Sequence, residues 1–184
     1  MQTDNLNSHY PTPFAESYAE DETREVYARF GLATYLGNVI DEALSNCLLV
    51  FEFAFRPGAG RTGVADFQAE VAKDTLGRKV TRLESSPRPP SPALIALLRQ
   101  VVAERNELAH RFMAEKCTKW YSAVGRKEMV AQLNAAIDLF QRAEEGLEHE
   151  YRPRAEALNM TDELIRDIMD KQIANERARD VVTE

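Results

Sequence analysis

The sequence predicts an all-α bundle of four or five helices, and three observations carry that prediction. Apolar residues recur at three- and four-residue spacing through most of the 184 positions. Stretches rich in proline and glycine divide the chain into pieces of helical length. Scarcely any segment alternates with period two, so a sheet would lack partner strands. A hydrophobic content of 44% over this length suffices for one core, and one domain is expected rather than two. The expected division is a disordered segment over 1–13, the bundle over 14–157, and an amphipathic helix or tail over 158–184.

From Phe14 to Phe55 the residues Tyr18, Val26, Phe30, Ala33, Leu36, Ile40, Leu44, Cys47 and Leu48 form a helical stripe. One long helix or two in succession is expected. Gly31 and Gly37 weaken it by about 1 kcal/mol each relative to alanine, a cost expected to be offset by close helix packing. Leu48 to Phe55 is the one stretch that also reads as a strand. Pro57 and the glycines at 58, 60 and 63 then break the helix, and a second helical segment follows, with Val64, Phe67, Val71, Leu76, Val80 and Leu83 on its buried face. Prolines 87, 89, 90 and 92 end it. Ser91 is a good N-cap and Pro92 a good first residue, so a third helix should start there and run to about Lys119. A fourth starts around Gly125 and ends near Pro153, and a last amphipathic helix starts at Thr161.

Composition excludes several classes. Residues 1–8 lack the basic and apolar regions of a signal peptide, and Cys47–Phe55 is far short of the roughly 20 apolar residues that span a bilayer. A soluble cytoplasmic protein is expected, with no membrane partner. Cys47 and Cys117 form no C-x-x-C pair and read as reduced thiols. Gly58 to Gly63 matches G-x-G-x-x-G, but no second strand follows to build a dinucleotide fold, so the stretch reads as an interhelical turn and no cofactor is expected. His9, His110 and His149 lack the i+3 or i+4 partners of a helical metal site, and no metal is expected.

The formal net charge of −7 is unevenly spread: residues 1–55 hold 2 Lys and Arg against 9 Asp and Glu, residues 56–127 hold 14 against 7, and residues 128–184 hold 7 against 14. A basic middle segment can draw a polyanion to one face of an acidic protein, or its charges can be neutralised by the flanking segments in the fold. Both remain open from sequence.

Within that basic segment lies Arg105-Asn106-Glu107-Leu108-Ala109-His110. Asn106 and His110, four apart, stack on one helix face, and Arg105 lies about 140° round from His110. An arginine offers a fixed fork for phosphate oxygens, an asparagine orients a hydroxyl, and a histidine moves a proton near neutral pH. Those parts suffice to cleave RNA without a metal. The alternative is structural: Arg105 pairs with Glu104, Glu107 or another residue of the bundle, and Asn106 and His110 hydrogen-bond to a neighbouring helix or loop. No helix-turn-helix signature supports a transcriptional regulator.

The stretch Arg105–His110 resembles the R-x(4–6)-H motif of the HEPN superfamily, whose members often carry asparagine directly after the arginine. The resemblance rests on these six residues and the all-helical setting, over roughly residues 15–155. It implies a HEPN-like bundle that forms a homodimer with two motif copies facing one cleft. In many members that cleft is a metal-independent endoribonuclease of toxin–antitoxin or antiviral systems, with RNA and an antitoxin or regulatory protein as partners. By position Arg105 would hold the scissile phosphate, Asn106 would support it, and His110 would act as general acid and base for attack by the 2′-hydroxyl. The position two after the histidine, a tyrosine modified by a partner nucleotidyltransferase in some family toxins, is Phe112 here. Other members are non-catalytic modules that bind protein or nucleic acid, and the acidic tail Thr161–Asp180 is then the expected docking arm.

Overall fold

The computed structural model describes residues 21–56 and 63–159, together with Glu163, Arg166, Asp170, Ile173, Ala174 and Arg177. Residues 21–56 and 63–159 hold six α-helices and two 3-10 turns, the six described residues beyond them are helical too, and no strand occurs among the described residues. The helices are α1 (Asp21–Phe51), α2 (Gly63–Val71), α3 (Leu76–Glu84), α4 (Pro92–His110), α5 (Phe112–Glu115) and α6 (Ala123–Ala157). The expected all-α class holds. The expected segments 1–13 and 161–180 lie outside, or almost outside, the described residues, as does most of the glycine loop, of which Gly63 opens α2.

The long helices α1 and α6 form the spine. Glu22 meets Arg126, Gly37 faces Phe140, and Arg154 covers the ring of Phe51, so the two helices run in the same direction. Helix α4 runs the opposite way: the backbone N–H of Ser91 donates to the carboxylate of Glu150 and Leu94 packs at Gly146, whereas Arg105 packs at Gly37. Helix α3 is antiparallel to α4, with Gly77 against Val102 and Glu84 ion-paired to Arg99. One core results, built from Ile40, Leu44, Leu48, Leu83, Leu98, Val101, Met129, Leu133 and Phe140.

Several boundaries differ from expectation for identifiable reasons. Leu48 to Phe55 is helix and 3-10 turn rather than strand. Its Leu48, Val50 and Phe51 are all buried, so a run that is apolar on most sides of a buried helix mimics a buried strand. The second segment divides at Ala72–Thr75, where Thr75 caps α3 through its side chain. The Ser91 cap and Pro92 start of α4 stand as expected, but α4 stops at His110, where Arg111 adopts φ −127° and ψ −33°. The turn α5 and the 3-10 turn Lys119–Tyr121 follow it.

Helix α6 passes through Pro153 instead of ending there. The carbonyl deprived of a donor is that of His149, on the exposed face where water can satisfy it. The true end is Leu158, after which Asn159 takes the left-handed conformation at φ 59°. Both cysteines are free, Cys47 buried and Cys117 exposed. No helix of the described residues is long and apolar enough to cross a membrane.

Candidate functional site

The second half of α4 carries the motif, and the helix turns Arg105 away from the face that Asn106 and His110 share. Arg105 is half-buried. Its stem crosses α1 at Gly37, where its Cγ would lie 3.4 Å from a Cβ placed on that glycine. Gly37 therefore does the packing expected of it, and the residue it admits is the motif arginine. Gly31 does not: nothing lies within 4 Å of a Cβ built there.

The guanidinium of Arg105 has no ion-pair or hydrogen-bond partner among the described residues. Glu107, one of the two neutralising neighbours suggested by sequence, is engaged instead by Arg111 at 2.8 Å. Glu104 faces the other flank of α4, in a cleft of about 300 Å³ shared with Glu107, Phe112, Lys116, Gln132 and Ala136. Burial in that cleft, and next to it the charge of Glu107, holds its carboxyl above the usual range.

Asn106 and His110 are both exposed, on the α4 face that also presents Arg99 and Ala103. Five residues of helix separate Arg105 from His110, a rise of about 7.5 Å. One chain thus brings Asn106 and His110 together on a convex face, with Arg105 at its edge toward α1. The clefts described for this chain are lined by other residues. Phe112 is buried and stacks on Phe30, with ring centroids 5.9 Å apart, so it anchors the end of the motif rather than joining it.

Other chemistry is weaker. A cleft of about 510 Å³ between α1 and α6 is lined by Asn46, Cys47, Glu148 and Tyr151 among others. Burial, and after it the charge of Glu148, pushes the Cys47 thiol up to about 12, which leaves it protonated and a poor nucleophile at neutral pH. Cys117 is exposed beyond the break after His110. Among the described residues no group of three or more His, Cys, Asp or Glu is placed to hold a metal ion.

The basic middle segment resolves into two parts. Around α2 and α3, Arg56, Arg78, Lys79, Arg82 and Arg99 are each ion-paired. Around the end of α4 and the start of α6, Arg105 and Lys116 have no ion pair among the described residues, and Arg111, Lys119 and Lys127 hold only surface pairs. Tyr121 stands 65% exposed in the same region. Extending the α4 pattern to Lys119 conceals this turn, although Lys116, Lys119, Trp120 and Tyr121 already interleave charge with aromatic rings. Comparison with protein-family models, with curated proteins and with solved structures finds no match.

Proposed function

We propose that this chain is a HEPN-like, metal-independent endoribonuclease of toxin or defence type that works as a homodimer. The observation that carries the reading is the state of Arg105. A half-buried arginine whose stem packs at Gly37 and whose guanidinium has no ion-pair partner among the described residues is a cation held in place for an anion the chain itself does not supply. Asn106 and His110 stand on the open face beside it. Arg105 binds the scissile phosphate, Asn106 orients it, and His110 takes the proton of the 2′-hydroxyl and returns one to the leaving 5′-oxygen. The P–O5′ bond breaks as the P–O2′ bond forms, leaving a 2′,3′-cyclic phosphate.

Because these groups stand on a convex face, a second copy is what closes a water-excluding cleft over them. The test is incubation of mixed RNA with the parent, Arg105→Ala and His110→Ala proteins in excess EDTA, with analysis of product ends, and sedimentation for the oligomeric state. Cyclic-phosphate ends from the parent dimer, reduced at least about a hundredfold in either variant, are expected. Equal cleavage by all three folded proteins overturns the reading.

The exposure of Asn106 and His110 outside any described cleft also favours a second reading, a non-catalytic helical module binding a protein or nucleic acid. An antitoxin or regulatory protein is the corresponding partner, with residues 158–184, largely outside the described residues, as the docking arm. Deletion of 158–184 should then abolish capture of that partner, and cleavage should be absent from the parent.

A further inference from the structure

The turn between α5 and α6 is fixed from three sides. Gly125 admits the Lys119 carbonyl so closely that a Cβ there would lie 2.1 Å from its oxygen. The buried Arg126 donates from Nη1 to the Trp120 carbonyl at 3.0 Å. Ser122 caps α6, its hydroxyl accepting from the Gly125 N–H at 3.0 Å. Trp120 is buried against Tyr27, with ring centroids 4.9 Å apart. All of this rigidity surrounds a residue that the fold does not use: Tyr121 is 65% exposed, and its hydroxyl makes no hydrogen bond among the described residues.

Lysines and carboxylates mix beside it, and the lysines are loosely held. Lys116 has no ion-pair partner among the described residues. Lys119 and Lys127 hold Glu128 and Glu22 at 2.6 and 3.6 Å across exposed surface, and such pairs are worth little and yield readily to a phosphate. Val124, 69% exposed in the first turn of α6, extends the apolar surface.

We propose that this turn is a docking platform for single-stranded RNA, in which one unpaired base stacks on the Tyr121 ring and the flanking phosphates meet Lys116, Lys119 and Lys127. An aromatic face among lysines is the surface that holds single strands without reading sequence, and a platform already fixed loses little to ordering when it binds. The choice of RNA over DNA rests on the ribonuclease reading. Trp120 packs at Tyr27, Phe112 at Phe30 and Arg105 at Gly37, so ten residues of α1, about 15 Å, separate the turn from the arginine along the bundle.

The test is fluorescence anisotropy with a fluorescein-labelled 12-nucleotide oligouridine in EDTA, in the His110→Ala background so that the probe survives. Tyr121→Ala should weaken binding roughly tenfold or more while Tyr121→Phe retains it, because stacking needs the ring and not the hydroxyl. Lys119→Gln should lower the slope of log affinity against log salt by about 0.7. A Tyr121→Ala protein that binds as tightly as its parent overturns the platform, as does absence of oligouridine binding by the folded protein, which leaves the surface to a protein partner. The two readings fail separately: cleavage unaffected by Tyr121→Ala keeps the ribonuclease and removes the platform, and Tyr121-dependent binding without cleavage in the parent does the reverse.

Discussion

At the residue scale, two glycines that look alike in sequence do different things. Gly31 faces open space on α1, so its only effect is the conformational freedom it gives the unfolded chain. Gly31→Ala should raise stability by about 0.5 to 1 kcal/mol in chemical denaturation, with cleavage and RNA binding unchanged. Gly125 opens onto a backbone carbonyl that cannot move without unseating the turn. Gly125→Ala should cost about 2 kcal/mol or more and should release Tyr121, so the variant loses oligouridine affinity as well as stability. Equal effects of the two substitutions would show that the contact at Lys119 is not what Gly125 serves. Sequence marked Arg105, Asn106 and His110, because residue types and spacing survive in one dimension. It could not show that Glu107 turns to Arg111, since i and i+4 partners compete on both sides of every charged residue in a helix.

At the element scale, what was legible followed from local chemistry, and what was not followed from burial. Ser91 and Pro92 set the start of α4 because a side-chain oxygen for orphan N–H groups and a residue lacking one are both local requirements. The Ser91 hydroxyl accepts from the Leu94 N–H at 3.3 Å, and its own N–H donates to Glu150 at 3.0 Å. Ser91→Ala removes the first bond and keeps the second. It should therefore cost about 1 kcal/mol by chemical denaturation, and a loss below about 0.3 kcal/mol would mean the Glu150 contact alone sets the helix start. The break after His110 carries no such signal, because Arg111, Phe112 and Met113 are ordinary helix residues. Burial of Phe112 against Phe30, and of Trp120 against Tyr27, decides the break, and both partners are some 80 residues away or more in the chain. Pro153 misled in the opposite sense, since a helix tolerates proline where the orphaned carbonyl faces water.

At the scale of the whole molecule, stability is divided between two seams that respond oppositely to acid. Helices α2 and α3 are held to the end of α1 by Arg82 and Arg56, both lying over the Phe67 ring at 5.3 and 4.6 Å. Arg82 bonds Glu52 at 2.9 Å and Asp74 at 2.6 Å, and Arg56 bonds Glu70 at 3.1 Å. Burial alone would raise the Glu52 carboxyl, but the hydrogen bonds from Arg82 and Arg56 outweigh it and hold the group below the usual carboxylate range. Glu70 is lowered chiefly by its bond to Arg56. A carboxyl whose folded pKa is depressed adds stability above its unfolded value, here 4.5, and that stability is lost as pH falls through the folded value. On the α4 to α6 seam the sign reverses. Glu104 is raised by burial and by Glu107, so it opposes folding when ionised, and protonation relieves it as pH falls. Acid should therefore loosen the molecule locally before it unfolds globally. Amide-exchange protection at Phe67–Val71 and Val80–Leu83 should fall as pH drops below about 4.5, while Leu98–Leu108 stays protected. Glu52→Gln should bring the same local loosening to neutral pH, because it removes the carboxylate that both arginines share. Protection lost uniformly across all helices at one pH would instead mean that the two seams open together and that the Arg82 network holds no separable unit.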